Sequence, residues 1–272
     1  MQFSGPYLAP TVIYGIAHLF GLTAIGLIVS WMCYDGKGFA LRSDPKLEFK
    51  WHPICMSLSL LFLNGEAIMI YRGLRDVKKV YTKAVHGILH CIAFTIMVLG
   101  LKAVWDSHDY NYTGTVDNVT PMPNLQSCHS WIGLSCATFY GCQLLAGFVA
   151  FYVPQTPLHI RQAVMPFHRT GGLIIFAFCL AAALMGAAEK AAWAVNCPKE
   201  YGNDICPEKF IVDFFSLAVL GYGVCVFLLA TIHAWIRQPL HSELVGQSAT
   251  VPGNGITSEV HFVHTERVSR GY

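Results

Sequence analysis

Six long apolar stretches dominate the chain and limit what it can fold into. Each holds about 20 mostly uncharged residues, the length that an α-helix needs to cross the hydrocarbon core of a bilayer. The predicted spans are, in chain order, Thr11–Met32, His52–Tyr71, Ala84–Trp105, His129–Val153, His168–Ala188 and Phe210–Trp235. Because the connections between them are short, the sequence predicts an all-α integral membrane protein with six transmembrane helices in one bundle.

The charge content also favours a membrane protein. Only 12% of the residues are charged, whereas about 25% of the residues of a soluble domain are charged. We do not expect the first apolar stretch to be a cleavable signal peptide, because Met1–Pro10 contains no Lys or Arg and the stretch is long enough to span. The net charge of +2 is too small to predict a nucleic-acid partner.

The chain divides into a predicted six-helix domain, residues 1–237, and a polar segment, residues 238–272. From Gln238 onward the sequence is rich in Ser, Thr, Gly and Val. Segments of this composition cannot bury enough apolar surface to fold. We therefore expect residues 238–272 to form a disordered cytosolic tail.

The distribution of basic residues indicates the orientation in the membrane. The connection between the second and third predicted spans is basic, with Arg72, Arg75, Lys78, Lys79 and Lys83. The connection over residues 106–128 contains neither Lys nor Arg. Cytosolic loops carry the excess of basic residues, so the first connection is predicted to be cytosolic, the second to be outside, and both termini to be cytosolic. The basic residues of the loop Cys33–Trp51 weaken this assignment.

Two further signals agree with that orientation. Glycosylation sequons begin at Asn111 and Asn118, both in the loop predicted to lie outside. Cys197 and Cys206 flank the next outer connection, where an oxidising compartment would allow a disulfide. The sequence leaves open whether the sequons and the disulfide are used.

Four of the twelve histidines begin predicted spans. His52 begins the second span, His86 the third, His129 the fourth and His168 the fifth. Because successive helices run in opposite directions, these histidines alternate between the two membrane faces. The sequence therefore predicts an outer pair, His52 with His129, and a cytosolic pair, His86 with His168. Both pairs would lie in a central four-helix bundle formed by spans two to five.

Paired imidazoles inside a membrane bundle need a partner, because an unpaired polar group in hydrocarbon is costly. A small ion such as zinc takes about four ligands close together, and each end supplies only two of these histidines. Haem brings its own equatorial nitrogens and needs two axial ligands, so the count favours one b-type haem at each end. Glycines beside the histidines leave room for a macrocycle at Gly87, Gly133, Gly171 and Gly172.

Other intramembrane polar groups have less certain roles. His90 lies one helical turn after His86. It either contacts a haem propionate or assists proton movement, or it is a packed, hydrogen-bonded core histidine. Glu66 lies inside the second span, which makes it a functional candidate; the alternative is an ion pair with Arg72. His18 is predicted to be structural.

At this level of detail the chain resembles a known family. The segments that carry the resemblance are Phe49-Lys50-Trp51-His52-Pro53, Tyr71-Arg72-Gly73, Lys79 to Gly87, Cys128 to Gly133, Pro166-Phe167-His168, Ala183 to Gly186 with Glu189-Lys190, and Trp235 to Pro239. They resemble the cytochrome b561 family of ascorbate-dependent transmembrane electron carriers, and most of all its duodenal and lysosomal cytochrome b branch. The resemblance extends over about Met1 to Leu240 and implies the same two histidine pairs as haem ligands.

The resemblance also implies where substrates bind. On the cytosolic side, the positions that match residues holding ascorbate and the haem propionates are Arg72, Lys79, Lys83 and Arg161. Cationic side chains suit these anions. On the outer side, His108 matches a histidine that contacts the electron acceptor or a metal ion. Asn124, Gln126 and Ser127 match the periphery of the outer haem, although Gln126 and Cys128 depart from the family pattern.

The resulting expectation is electron transfer from cytosolic ascorbate through two b haems to a non-cytosolic acceptor, either ferric iron or monodehydroascorbate. No side-chain nucleophile is needed. The alternatives are a quinol-oxidising cytochrome b subunit and a metal-ion transporter. The family implies a homodimer. The sequence leaves open whether the protein lies in the plasma membrane or in an endosomal, lysosomal or secretory vesicle membrane.

Overall fold

Six helices that are long and apolar enough to cross a membrane make up most of the structure, a computed structural model that describes residues 8–115, 118–195, 197, 201 and 206–248. These spans, numbered one to six, are Leu8–Cys33, Pro45–Gly73, Lys79–Asp109, Cys128–Phe151, Leu158–Ala194 and Pro207–Thr231. The prediction of an all-α protein with six membrane spans is confirmed.

The third and fifth spans begin earlier than the apolar pattern indicates. Their helices start at Lys79 and Leu158, so His86 and His168 lie well inside the helices. The expectation that these two histidines occupy first helical turns is therefore wrong. The physical reason is that a helix satisfies its own backbone hydrogen bonds in water as well as in lipid, so it does not have to end where the apolar residues end.

The second span is not a uniform α-helix. It begins with a short helix, Pro45–Glu48, whose N-cap Asp44 accepts hydrogen bonds from two backbone amides. Further along, residues Ser57–Leu63 form a π-helix between the α-helices Trp51–Met56 and Asn64–Gly73. The wider turn is rare and is found mostly at functional sites. Here it separates the part of the span that carries His52 from the part that carries Glu66.

The buried side chains form two clusters. One lies along the first and sixth spans and includes Ala17, Ala24, Val219 and Tyr222. The other joins spans two to five. Its buried members are Leu60, Ala93, Met97, Cys136, Ala137, Tyr140, Ile175 and Cys179. Spans two to five thus share a core, and the first and sixth spans pack beside it.

A β-hairpin follows the third span, which the sequence analysis did not anticipate. Strand β1, Tyr112–Thr115, pairs antiparallel with strand β2, Asn118–Pro121. Tyr, Thr and Val favour strands, but the segment is too short for its alternation to stand out. The two sequons fall in this region, at Asn111 and Asn118. In the next outer connection, Cys197 and Cys206 are joined by a disulfide.

The predicted disordered tail contains one described helix, His241–Ser248. Its first turn is stabilised by the Glu243 carboxylate, which accepts a hydrogen bond from the Leu240 amide at 2.9 Å. A glutamate that accepts from the amide at the helix start in this way favours a helix even in a polar segment. Residues 249–272 of the predicted tail lie outside the described residues.

Arg72 stabilises the end of the sixth span. Its buried guanidinium donates to the carbonyl oxygens of Ile232 at 2.6 Å and Ala230 at 3.0 Å. The last carbonyls of a helix have no partner within the helix, so this arginine supplies one. Arg75 donates to the Trp235 carbonyl, and Arg237 donates back to the Arg75 carbonyl at 3.1 Å. The segment after the sixth span is thereby tied to the connection between spans two and three.

We predict that Arg72→Ala lowers the free energy of unfolding by about 2 kcal/mol, because charged hydrogen bonds to buried carbonyls are lost. That corresponds to a fall of about 5 °C in melting temperature for a protein of this size. Thermal unfolding of detergent-purified protein, followed by thiol-reactive fluorescence, measures the change. Lys78→Ala in the neighbouring connection is the matched control. Equal melting temperatures for the two variants would contradict the proposal that Arg72 stabilises the end of the sixth span.

Candidate functional site

The four histidines that begin or lie near the ends of predicted spans form two facing pairs. The ring centroids of His52 and His129 lie 6.2 Å apart, with ring planes crossing at 81°. The centroids of His86 and His168 also lie 6.2 Å apart, with planes crossing at 71°. The first pair joins the second span to the fourth, and the second pair joins the third span to the fifth.

The spacing of both pairs would accommodate one metal ion held by the two imidazoles. A metal–imidazole bond is about 2.0 Å long, and each ring centre lies about 1 Å behind its nitrogen, so two collinear bonds give about 6 Å between centroids. If the two imidazoles were hydrogen-bonded directly to each other, their ring centroids would lie closer together than the distance needed for a metal ion between them. The separation therefore leaves room for one ion between each pair of rings.

Backbone carbonyls orient three of the four rings. The Nδ1 atom of His52 lies 3.0 Å from the Gly100 carbonyl oxygen, and that of His129 lies 2.9 Å from the Ala182 oxygen. The Nδ1 atom of His86 lies 2.8 Å from the Ala67 oxygen. A carbonyl oxygen can only accept, so each Nδ1 carries the hydrogen.

The consequence is a fixed tautomer. With the proton on Nδ1, the neutral ring keeps its lone pair on Nε2, which is then available to a metal ion. This arrangement is the usual support of a metal-bound histidine, because the carbonyl fixes the ring orientation and raises the basicity of the ligand. For His52, His86 and His129, the backbone of a neighbouring span therefore aims the coordinating nitrogen.

Two glycines allow the rings to approach the helices. A Cβ atom on Gly186 would lie 2.6 Å from Cε1 of His129, and one on Gly147 would lie 3.0 Å from Cε1 of His168. The glycines that the sequence analysis selected make other approaches: Gly87 faces Tyr152, while Gly171 and Gly172 face Gln143. Sequence proximity to a histidine was a poor guide because the relevant glycine lies on the facing helix.

Comparison with known proteins now decides the family. The model of the family described as eukaryotic cytochrome b561 matches residues 51–194, which contain all four paired histidines. The chain belongs to the cytochrome b561 family. The match begins just before His52 and ends with the fifth span, so it covers the four helices that hold the pairs.

Curated relatives cover most of the chain. A Caenorhabditis elegans protein named putative transmembrane ascorbate-dependent reductase CYB561 homolog is 38% identical over 232 residues, 85% of this chain and 86% of that protein. The Xenopus tropicalis plasma membrane ascorbate-dependent reductase CYBRD1 is 31% identical over 243 residues, 89% and 81% of the two chains. A rice protein named probable ascorbate-specific transmembrane electron transporter 2 is 32% identical over 226 residues, 82% and 90%.

The residues of this cytochrome b561 fit b-type haem better than a small metal ion. Each pair offers two opposed nitrogens, which is what an iron with four porphyrin nitrogens lacks. A structural zinc site needs about four ligands. Among the described residues, no group of three or more His, Cys, Asp and Glu side chains is placed to hold a metal ion.

Next to the cytosolic pair, His90 packs its ring against that of His86, with centroids 4.4 Å apart. Its Nδ1 lies 2.7 Å from the hydroxyl of Tyr140, a buried residue of the fourth span. The sequence left His90 open between a packed and a functional role. The structure places it in contact with both His86 and Tyr140.

The predicted cytosolic cations separate into two groups. Lys83 donates to the Phe151 carbonyl at 2.6 Å, and Arg161 donates to the Val153 carbonyl at 3.1 Å. Both cations therefore meet at the end of the fourth span. Arg72 lies instead at the end of the sixth span. Arg169 was not selected from the sequence, but it is close enough to Arg72 for their charges to repel. Its position next to His168 in the sequence could have indicated that it belongs to this site.

Lys79 begins the helix of the third span and makes a contact in the structure. At the end of the fourth span, the Tyr152 hydroxyl donates a hydrogen bond to the Lys83 carbonyl. The Lys83 ammonium lies 4.9 Å from the centre of the Tyr152 ring. Burial raises the pKa of the Tyr152 hydroxyl. The end of the fourth span thus combines two cations, Lys83 and Arg161, with an aromatic hydroxyl.

On the outer side, His108 has a buried Nδ1 with no hydrogen-bond partner among the described residues. The neighbouring acids are engaged: Asp106 pairs with Lys102 and with Arg42, and Asp109 accepts a hydrogen bond from Asn124 at 2.9 Å. An orphaned buried nitrogen calls for a partner, so His108 has capacity left for a ligand. The buried Glu48 carboxylate on the same side also has an oxygen, Oε2, with no hydrogen-bond partner among the described residues.

The segment before the fourth span organises the helix that carries His129. Ser127 is the N-cap, and its hydroxyl accepts from the Ser130 amide at 3.2 Å. Gln126 donates to the Asn124 carbonyl at 3.0 Å. These contacts position the segment through local hydrogen bonds, although Gln126 departs from the family pattern.

A cationic and aromatic cluster beside the outer pair was missed by the sequence analysis. The Lys190 ammonium lies 4.5 Å from the ring centre of Trp193 and 5.3 Å from that of Phe49. The Phe49 ring lies 6.0 Å from that of His52. Nearby, the Lys50 ammonium donates to Asp35 at 2.5 Å and holds the pKa of that carboxyl below its usual value.

We predict that Gly186→Ala selectively removes haem from the outer site. The added methyl group would overlap the His129 ring, since carbon atoms pack at about 3.5–4.0 Å, and the ring would have to leave its carbonyl partner. Pyridine haemochrome analysis of purified protein should give roughly half the wild-type haem per chain, given one site lost of two. Gly26→Ala, where a Cβ meets open space, is the control; equal haem in both variants would contradict the assignment.

We also predict that His86→Ala removes only the haem of the His86–His168 pair. The remaining pair keeps its own ligands and carbonyl contacts, so the visible spectrum of the dithionite-reduced protein should retain a single b-type component. His159→Ala, in an exposed position near the start of the fifth span, is the matched control. Two intact haems in purified His86→Ala protein would refute the ligand assignment.

Proposed function

We propose that this cytochrome b561 is a transmembrane oxidoreductase that carries electrons from cytosolic ascorbate to a non-cytosolic acceptor through two bis-histidine b haems. His52 and His129 hold the outer haem, and His86 and His168 hold the cytosolic haem. The observation that carries the proposal is the repeated geometry, with both pairs 6.2 Å apart in ring centroids. The names of the relatives, ascorbate-dependent reductases and electron transporters, support the donor.

Haem supplies a one-electron iron couple at each site. The protein holds the ligand nitrogens, and the carbonyls of Gly100, Ala182 and Ala67 keep three of them in the coordinating tautomer. Spans two to five share an apolar core, which in this proposal keeps water away from the path between the two haems. These are the tasks left to the protein when the cofactor carries the redox chemistry.

For the donor site, Lys83 and Arg161 are the best placed of the four predicted cations. Both donate to backbone carbonyls at the end of the fourth span. An ascorbate anion could replace these contacts with stronger charge-assisted bonds. Lys79 is proposed as a third contact. Arg72 is proposed to act mainly through the sixth span, since its guanidinium already serves two buried carbonyls.

For the acceptor site, His108 is the proposed contact to ferric iron or monodehydroascorbate, because its Nδ1 has no partner among the described residues. Asn124, Gln126 and Ser127 are proposed to line the periphery of the outer haem. The sequons at Asn111 and Asn118 and the Cys197–Cys206 disulfide fit a non-cytosolic location for this face. We further propose cytosolic termini and a homodimer, in the plasma membrane or a vesicular membrane.

The rival functions are less well supported. A metal-ion transporter needs acids that are available as carriers, but Asp106, Asp109 and Glu66 all have partners in the structure. A quinol-oxidising subunit would share the histidine pairs, so only the electron donor separates it from the proposal.

The test uses purified protein in lipid nanodiscs and rapid mixing. We expect ascorbate alone to reduce both haems, and a ferric chelate or ascorbyl radical to reoxidise them. Reduction by a quinol but not by ascorbate would favour the rival cytochrome. A protein purified with no b-type absorption after haem-supplemented expression would contradict the proposal itself.

We predict that Lys83→Ala and Arg161→Ala each raise the ascorbate concentration needed for half-maximal reduction rate by about 10-fold, the loss of roughly 1.4 kcal/mol of anion binding. The maximal rate should change less, because the haem ligands are untouched. The control is Lys78→Ala, an exposed cation just before the helix that carries Lys83. Unchanged half-saturation in both variants would remove these residues from the donor site.

A further inference from the structure

A carboxylate is buried inside the membrane domain, away from the proposed donor and acceptor sites. Glu66 is 9% exposed, and its Oε2 lies 3.1 Å from Nε2 of His18 on the first span. From the sequence, Glu66 was either a functional candidate or an ion-pair partner of Arg72. In the structure its partner is His18, which was predicted to be structural.

The hydrogen positions of this pair follow from its neighbours. Nδ1 of His18 lies 2.7 Å from the Tyr14 carbonyl oxygen, which can only accept, so Nδ1 carries a hydrogen. In a neutral imidazole the other nitrogen, Nε2, is then bare. A bare nitrogen and a carboxylate oxygen 3.1 Å apart would repel each other. One exchangeable proton therefore belongs between His18 and Glu66.

The other carboxylate oxygen has a place for a second proton. The Tyr222 hydroxyl lies 2.8 Å from the Phe62 carbonyl, to which it donates, and 3.2 Å from Glu66 Oε1. A hydroxyl has only one hydrogen, and the Phe62 carbonyl can only accept. A protonated Oε1 could therefore donate to the Tyr222 hydroxyl oxygen without any heavy atom moving. The cluster can change its charge by one with little rearrangement.

This cluster is connected to a haem ligand by one peptide unit. Ala67, the residue after Glu66, provides the carbonyl that accepts the Nδ1 hydrogen of His86, at 2.8 Å. Charges interact strongly over such short paths in a low-dielectric interior. A change of charge at the iron between His86 and His168 and a change of charge at Glu66 will therefore affect each other.

We propose that Glu66 and His18 form a redox-linked proton site: the pair takes up one proton when the haem of the His86–His168 pair is reduced and releases it when the electron moves on. The inference rests on the proposed function, which places a haem between those histidines. It assigns this chain a proton-binding role within the membrane that is separate from substrate binding.

The charges and atoms balance. The ascorbate monoanion loses one electron and one proton to become the ascorbyl radical anion; the electron reaches ferric iron, and the proton enters cytosolic water. The Glu66–His18 pair binds one proton from the same water, forming an O–H or N–H bond. When the electron passes to the outer haem, that bond breaks and the proton leaves. Charge on the cytosolic haem is thereby compensated nearby.

Other ionisable groups lie on every element packed around the pair. They are Tyr14 on the first span, Tyr222 and Cys225 on the sixth, His86 and His90 on the third, Arg169 on the fifth, and Tyr71 and Arg72 on the second span itself. Arg72 keeps its charge and is held by carbonyls of the sixth span. The test therefore has to change Glu66 and His18 separately.

The experiment is an optical redox titration of the purified, haem-loaded protein in nanodiscs from about pH 5.5 to about pH 8.5, the range in which histidine titrates. In wild type we expect the midpoint potential of one haem to fall with rising pH, with uptake of a measurable fraction of a proton per electron. Glu66→Gln and His18→Gln should each abolish most of that dependence, since neither amide titrates. Infrared difference spectra should lose a reduction-linked carboxyl band in Glu66→Gln.

Glu189→Gln is the matched control, because it makes the same chemical change in an exposed acid at the opposite end of the fifth span. It should keep the wild-type pH dependence. If Glu66→Gln and His18→Gln both bind two haems and keep that dependence, the pair is only a structural hydrogen bond and the inference is overturned. Failure of the proposed function would look different, because wild-type protein itself would then lack two bis-histidine haems.

Discussion

The hydrogen bond from an imidazole Nδ1 to a backbone carbonyl is the interaction on which the functional part of the fold depends. It appears at His52, His86 and His129, each time with a carbonyl from a different span. Inside a membrane such a bond has no competing water, so it fixes the ring and the tautomer together. Each bond also joins two helices. In the proposed function the same contact therefore stabilises the bundle and orients a haem ligand.

The facing glycines complete this arrangement. Gly186 opposite His129 and Gly147 opposite His168 let the ring of one helix lie almost on the backbone of the next. Small residues generally permit close helix packing in membranes, and here the space is used by imidazole. The rest of the molecule supports this core: the first and sixth spans pack beside it, and Arg72 ties the end of the sixth span to the second.

The sequence was sufficient for the number of spans and for the family, because apolar length and the motifs around His52, His86, His129 and His168 are local properties. It could not show helix ends, since polar residues extend the third and fifth helices beyond the hydrocarbon. It also could not show which glycine faces which histidine, or that Glu66 pairs with His18 and not with Arg72. Those outcomes depend on how distant helices rotate against each other, which no local pattern records.

The most direct test of the two-site account is low-temperature electron paramagnetic resonance of the fully oxidised, purified protein. Axial imidazole planes that cross at 81° and 71° leave the iron d orbitals nearly degenerate, which makes the low-spin ferric signal highly anisotropic. The account predicts two such signals of equal intensity. A single signal, a high-spin signal or the moderate anisotropy of parallel imidazoles would contradict two bis-histidine sites with this geometry.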